Sequence, residues 1–127
     1  MAVNKDIMRQ WAEALESGKY GQTHGKLGDG QGSFCCLGVL CEIAVKDDAI
    51  QPPVYEAEEG QIRYGFEAAI LPTSVLDWSG LTESNPLLEV PEELSYDYDT
   101  ETAINLNDDY DFDFLKIAAC VRYTYDV

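Results

Sequence analysis

Residues 18–33, GKYGQTHGKLGDGQGS, hold six of the chain's ten glycines and its only histidine, and they run straight into FCCLGVLC with three of the four cysteines. A glycine-rich loop that feeds a helix N-terminus can aim unpaired backbone N–H groups, together with the positive end of the helix dipole, at one point. That is anion-binding chemistry. Lys19, His24 and Lys26 add positive charge along the same stretch, Tyr20 offers a ring to stack on a base or ribose, and the amides near Ser33 to Cys35 would supply the donors. The known phosphate-loop patterns are absent: Gly32 is followed by Ser33-Phe34 rather than Lys-Ser/Thr, and no strand precedes the loop as in a dinucleotide fold. A surface loop with tight turns is the competing structural reading.

Other chemistries find less support. Cys35, at a helix N-terminus, is the best-placed thiol for a lowered pKa, but its only candidate base is His24, and no spacing ties the two together. No enzyme is expected. Adjacent Cys35 and Cys36 do not match zinc-ligand spacing, and His24 is the sole imidazole. Residues 97–108, DYDTETAINLND, place acids at the first, third, fifth and twelfth positions of a calcium loop, but lack its central glycine and final glutamate. Neither a metal nor a cofactor is expected.

Charge divides the chain. Its net charge is −16, yet the five basic and five acidic residues of 1–46 cancel, so residues 47–127 carry the whole excess. No basic residue stands between Arg63 and Lys116, while ten acids fall between Glu89 and Asp113. Such a surface repels nucleic acid and anionic lipid and attracts basic partners. Interleaved with Tyr96, Tyr98, Tyr110 and Phe112, the acidic segment also resembles the phosphate spacing of DNA, which would let it occupy a basic nucleic-acid channel. A solvated, solubilising face is the simpler alternative.

The elements that must carry these residues are short. Asn4 is placed to cap a helix in which Ile7, Met8, Trp11, Ala14 and Leu15 recur at helical spacing up to Ser17-Gly18. Ser33 is placed to cap a second helix, apolar over most of its circumference and therefore central, in which Gly38 allows another backbone to approach closely. Alternation on either side of Glu59-Gly60 predicts a β-hairpin, and LPTSVLDWSG predicts a helix of barely two turns stopped by Gly80. Residues 82–101 read as loop with a short extended piece at Leu87 to Val90. TAINL predicts a strand, Asp111 a cap for a last helix through Phe114, Ile117, Ala118 and Val121, and YTYDV a polar aromatic tail. The expected architecture is a single α+β domain over 1–127 with a central buried helix, a β-hairpin and a C-terminal helix. No apolar run is long enough for a membrane span and no signal-peptide core appears near the N-terminus, so a cytoplasmic protein with reduced thiols is expected.

Trp11, Ala14, Leu15, Ser17, Gly18, Tyr20 and Gln22 form the pattern W-x2-A-L-x-S-G-x-Y-x-Q, followed by C-C-L-G-V-L-C at 35–41, L-N-D at 106–108, and Phe114, Ile117 and Ala118 as F-x2-I-A. With these motifs, covering about a third of its length, the chain resembles a set of small, mostly uncharacterised bacteriophage proteins. The resemblance implies phage origin and a host-cytoplasmic setting, and it brings no catalytic role. If the two motif regions meet in space, Tyr20, Gln22, the loop amides, Asn107 and Asp108 would wall one polar pocket. The expected function is that of a non-enzymatic counter-defence protein sequestering a small anionic, nucleotide-type immune signal. The alternative is an acidic inhibitor or DNA mimic, similar to an anti-CRISPR protein, that blocks a basic host defence protein. No direct contact with nucleic acid or membrane is expected, and a homo-oligomer is compatible with either reading.

Overall fold

The computed structural model describes residues 2–127. Helix α1 spans Lys5–Glu16, and Asn4 caps it as the sequence predicts: its side-chain oxygen accepts from the amides of Asp6 and Ile7 at 3.0 and 3.3 Å. One face, Ile7, Met8, Trp11, Ala12 and Leu15, is buried. Strands β1 (Gly21–Gln22) and β2 (Ser33–Phe34) pair in parallel at the two ends of the glycine-rich loop and lead into α2, Cys36–Lys46.

Helix α2 is the centre of the core. Every residue from Cys36 to Ala44 is buried apart from Glu42, whose carboxylate accepts a 2.6 Å hydrogen bond from the buried Tyr64 hydroxyl. Gly38 is required there for the expected reason: a Cβ on it would sit 1.9 Å from the Leu27 carbonyl oxygen, which already accepts from the Cys35 amide. Trp11, Leu37 and Leu40 are fully buried around it.

The predicted hairpin is present as β3 (Val54–Glu56) and β4 (Gln61–Arg63), and the predicted short helix as α3 (Thr73–Ser79), stopped by Gly80 at φ 81°. Strand β5 (Leu87–Glu89) pairs antiparallel with β6 (Thr100–Thr102). The C-terminal helix α4, Phe114–Tyr125, packs along α1, where Arg122 donates twice to the Glu16 carboxylate at 2.8 Å. The protein is therefore an α+β domain of four helices and three two-stranded sheets among the described residues.

Four local expectations are corrected. Cys35, not Ser33, is the N-cap of α2, because Ser33 is drawn into β2 and its amide donates to the Asp29 carboxylate. The strand expected at TAINL stops at Thr102, and Asn105–Asp109 form a π-helical turn. The Thr102 hydroxyl accepts from the Asn105 amide and the Asn85 side chain, 19 residues upstream, from that of Ile104, so one local and one distant side chain turn the backbone out of the ladder. Asp113 rather than Asp111 caps α4, accepting from the Lys116 amide at 2.9 Å, while Asp111 takes a left-handed backbone, φ 56°. Residues 123–125 of the expected tail continue α4. No helix among the described residues is long and apolar enough to cross a membrane.

Candidate functional site

The fold brings together part of the residue set that the sequence singles out. The π turn buries Asn107 completely and aims its amide at the start of α2. Asn107 Oδ1 accepts from Gln22 Nε2 at 2.9 Å and from the Cys36 amide at 3.3 Å, while Nδ2 donates to the Thr23 carbonyl at 2.9 Å and to Asp108 Oδ1 at 2.8 Å. A carboxamide offers two acceptor positions and two donors. Asn107 has used all four.

Its neighbours are equally committed. Gln22 spends its second donor on the Phe112 carbonyl at 2.8 Å, and Asp108 Oδ2 accepts from the loop amide of Gly25 at 3.0 Å. Nearby, the indole of Trp11 donates to the Cys36 carbonyl at 2.9 Å. Of the amides that the sequence offers to an external anion, that of Ser33 donates to Asp29 at 3.1 Å and that of Cys35 to the Leu27 carbonyl at 3.1 Å; the next, at the first residue of α2, meets Asn107, and the Asp108 carboxylate stands close by. Gln22, Asn107, Asp108 and one loop amide converge as expected, but they bond one another.

The thiols follow from the same geometry. Burial pushes Cys35 up to about 11, the charge of Asp108 acts in the same direction, and the amides of Gly38 and Leu37 act against both. Cys36 and Cys41 are raised further, again chiefly by burial. Such buried thiols pack as small hydrophobes. The acids of 97–108 do not converge either: among the described residues no three His, Cys, Asp or Glu side chains gather into a metal-ligand set.

The remaining predicted site residues scatter. His24 reaches only the exposed Asp111, at 3.7 Å, and Lys26 donates to the Gly60 carbonyl at 3.2 Å, tying the loop to the β3–β4 hairpin. Ser33 lies half-buried in β2. Lys19 and Tyr20 line an open groove of about 440 Å³ with Glu13, Lys46 and Asp47, between the ends of α1 and α2. Lys46 donates to the Tyr20 hydroxyl at 2.9 Å and lies 5.4 Å from the centre of its ring. Two lysines there face two carboxylates, so the groove has no excess of positive charge.

A second groove, of about 430 Å³, was not legible in the sequence. Glu89, Glu92, Tyr96, Tyr98, Asp99 and Tyr123 line it. Three carboxylates and three phenol rings make it the chemical opposite of an anion site. Its one sequence signal is the alternation of tyrosine with acid at 96–99; Tyr123 reaches it only because α4 continues through the expected tail.

The chain belongs to a family described as a domain of unknown function, DUF8296, whose model matches residues 3–125. No curated protein and no solved structure matches it.

Proposed function

We propose that the protein is a non-enzymatic binding protein whose acidic half engages a basic, nucleic-acid-binding surface of a partner protein. The observation that carries this reading is the contrast between the two candidate anchor points. At the N-terminus of α2, Asn107 takes the first amide, whereas residues 47–127 hold all of the net −16 charge, without a basic residue between Arg63 and Lys116. Charge of one sign over such a surface steers a basic partner and competes with the phosphates it would otherwise bind. Together with the phage resemblance of the motifs at 11–22, 35–41 and 106–108, this supports a counter-defence role in the host cytoplasm as an acidic inhibitor.

Sequestration of a nucleotide-type immune signal is the second reading. It retains one supporting observation, the shared groove of Lys19, Tyr20 and Lys46.

The test is competition. A host protein captured by this chain should lose its DNA when the chain is added, and the inhibition should weaken steeply as salt rises, since exposed charge is screened over a Debye length of roughly 8 Å at physiological ionic strength. Asp109→Asn, Asp111→Asn and Asp113→Asn together should weaken inhibition and flatten that salt dependence. Unchanged inhibition by the triple variant, or capture with no loss of DNA, would count against the acidic reading.

A further inference from the structure

We infer that the groove between the β5–β6 region and the end of α4 is an anchor for an arginine-bearing segment of a protein partner. This deepens the acidic-inhibitor reading and rests on it. Glu89, Glu92, Asp99 and the rings of Tyr96, Tyr98 and Tyr123 form one concavity of about 430 Å³.

Three observations carry the inference. None of the three carboxylates has a cationic partner within salt-bridge distance among the described residues. The two cations of the neighbouring helix are committed elsewhere: Arg122 to Glu16 and the Val127 carbonyl, and Lys116 to the face of Phe112 at 5.5 Å. Two of the phenol rings are left open to solvent at the mouth, Tyr96 at 87% and Tyr123 at 59% exposed, while that of Tyr98 stacks on Tyr110 at 4.1 Å. The chain's own basic residues therefore do not fill the groove, and a second copy, carrying the same −16 charge, is repelled from it.

Ring faces beside unpaired carboxylates select among cations. A guanidinium is planar, stacks on an aromatic face and donates two parallel bonds to a carboxylate, whereas an ammonium is a compact, strongly hydrated point charge. The backbone of the groove is held in place for this: the Glu89 amide donates to the Thr124 hydroxyl of α4 at 2.8 Å, and the Val90 amide to the Asp99 carbonyl at 2.8 Å. Arginine is thus the preferred guest, and arginine-rich loops are what basic nucleic-acid-binding proteins present.

The experiment titrates the whole protein with fluorescent arginine and lysine nonamers at low salt. Four forms are compared at equal melting temperature: wild type, Glu89→Gln/Glu92→Gln/Asp99→Asn in the groove, Asp109→Asn/Asp111→Asn/Asp113→Asn outside it, and Tyr96→Ser/Tyr123→Ser. The groove triple should lose on the order of ten-fold in affinity for the arginine nonamer or more, and the outer triple a smaller loss of about two- to three-fold. Wild type should prefer arginine over lysine, and the tyrosine variant should lose that preference. Equal losses from the two charge triples, or equal binding of the two nonamers by wild type, would overturn the groove as an arginine anchor while leaving the acidic reading intact. If no form binds either nonamer, the acidic reading falls and the anchor with it.

Discussion

Asn107 and Tyr96 lie on one acidic stretch of chain, and their surroundings treat polarity in opposite ways. Around Asn107 every donor and acceptor of the carboxamide is bonded within the protein, and the residue has no exposed surface. Around Tyr96, three carboxylates have no cationic partner among the described residues, and two rings are exposed. Buried polar groups that are saturated in this way hold a fold together, because leaving any one of them unpaired is costly. Open, unpaired ones do little for stability and are free for recognition. Motif residues with the look of a binding site therefore form the lock, and residues without any motif form the open face.

If the lock is structural, its removal should be expensive. The largest effect is expected next to it: Gly38→Ala pushes a methyl into the Leu27 carbonyl, where no side chain can give way, and Leu40→Asp buries an unpaired carboxylate in the core. Both variants should fail to give soluble, cooperatively melting protein; a native-like melt from Leu40→Asp would contradict the placement of α2 at the centre. Asn107→Ala should destabilise by about 2–4 kcal/mol in urea unfolding, since it strands the Cys36 amide, the Thr23 carbonyl and one Gln22 donor. A loss below about 0.5 kcal/mol, the scale of an ordinary surface substitution, would remove the lock from the account.

Effects outside the lock should be smaller. Native protein at pH 8 should resist iodoacetamide at all four buried cysteines, with Cys35 held up at about 11, and alkylate fully once denatured; mass spectrometry reads both states. Rapid labelling of Cys35 alone would revive the thiol as a reactive group. The Glu16–Arg122 pair should contribute least. Hydrogen bonding to Arg122 holds the Glu16 carboxyl below its usual value, so its stabilisation is present above the unfolded carboxylate pKa and is lost as pH falls through the folded one. Because Glu16 is partly exposed, Glu16→Gln should cost less than about 1 kcal/mol at pH 7, and its difference from wild type should vanish in acid.

Elements with local causes were legible in the sequence. The Asn4 cap, the alternation around Glu59-Gly60, the Gly80 stop and the all-round apolarity of α2 act within a few residues of themselves. The π turn was not, because it depends on Asn85 accepting from Ile104 far along the chain. Nor was the fate of the glycine-rich loop. The sequence shows donors at 25 and 36, but their acceptors, Asp108 and Asn107, lie 83 and 71 residues away. A loop of this composition reads as open to a ligand until its internal partner is known. The acidic groove was hidden for the same reason: Tyr123 joins residues 89–99 only through the packing of α4.

One calorimetric comparison bears most directly on the contrast between a closed lock and an open acidic face. The melting temperature of the wild-type protein is measured with the arginine nonamer and, separately, with nucleotides, cyclic oligonucleotides and ADP-ribose derivatives. A ligand selective for the native state raises that temperature by mass action. A rise with the nonamer that salt abolishes is expected, with no change for any phosphorylated ligand. A rise with a nucleotide that is lost in Lys19→Ala/Lys26→Ala, with no response to the nonamer, would contradict this and return the function to the glycine-rich loop.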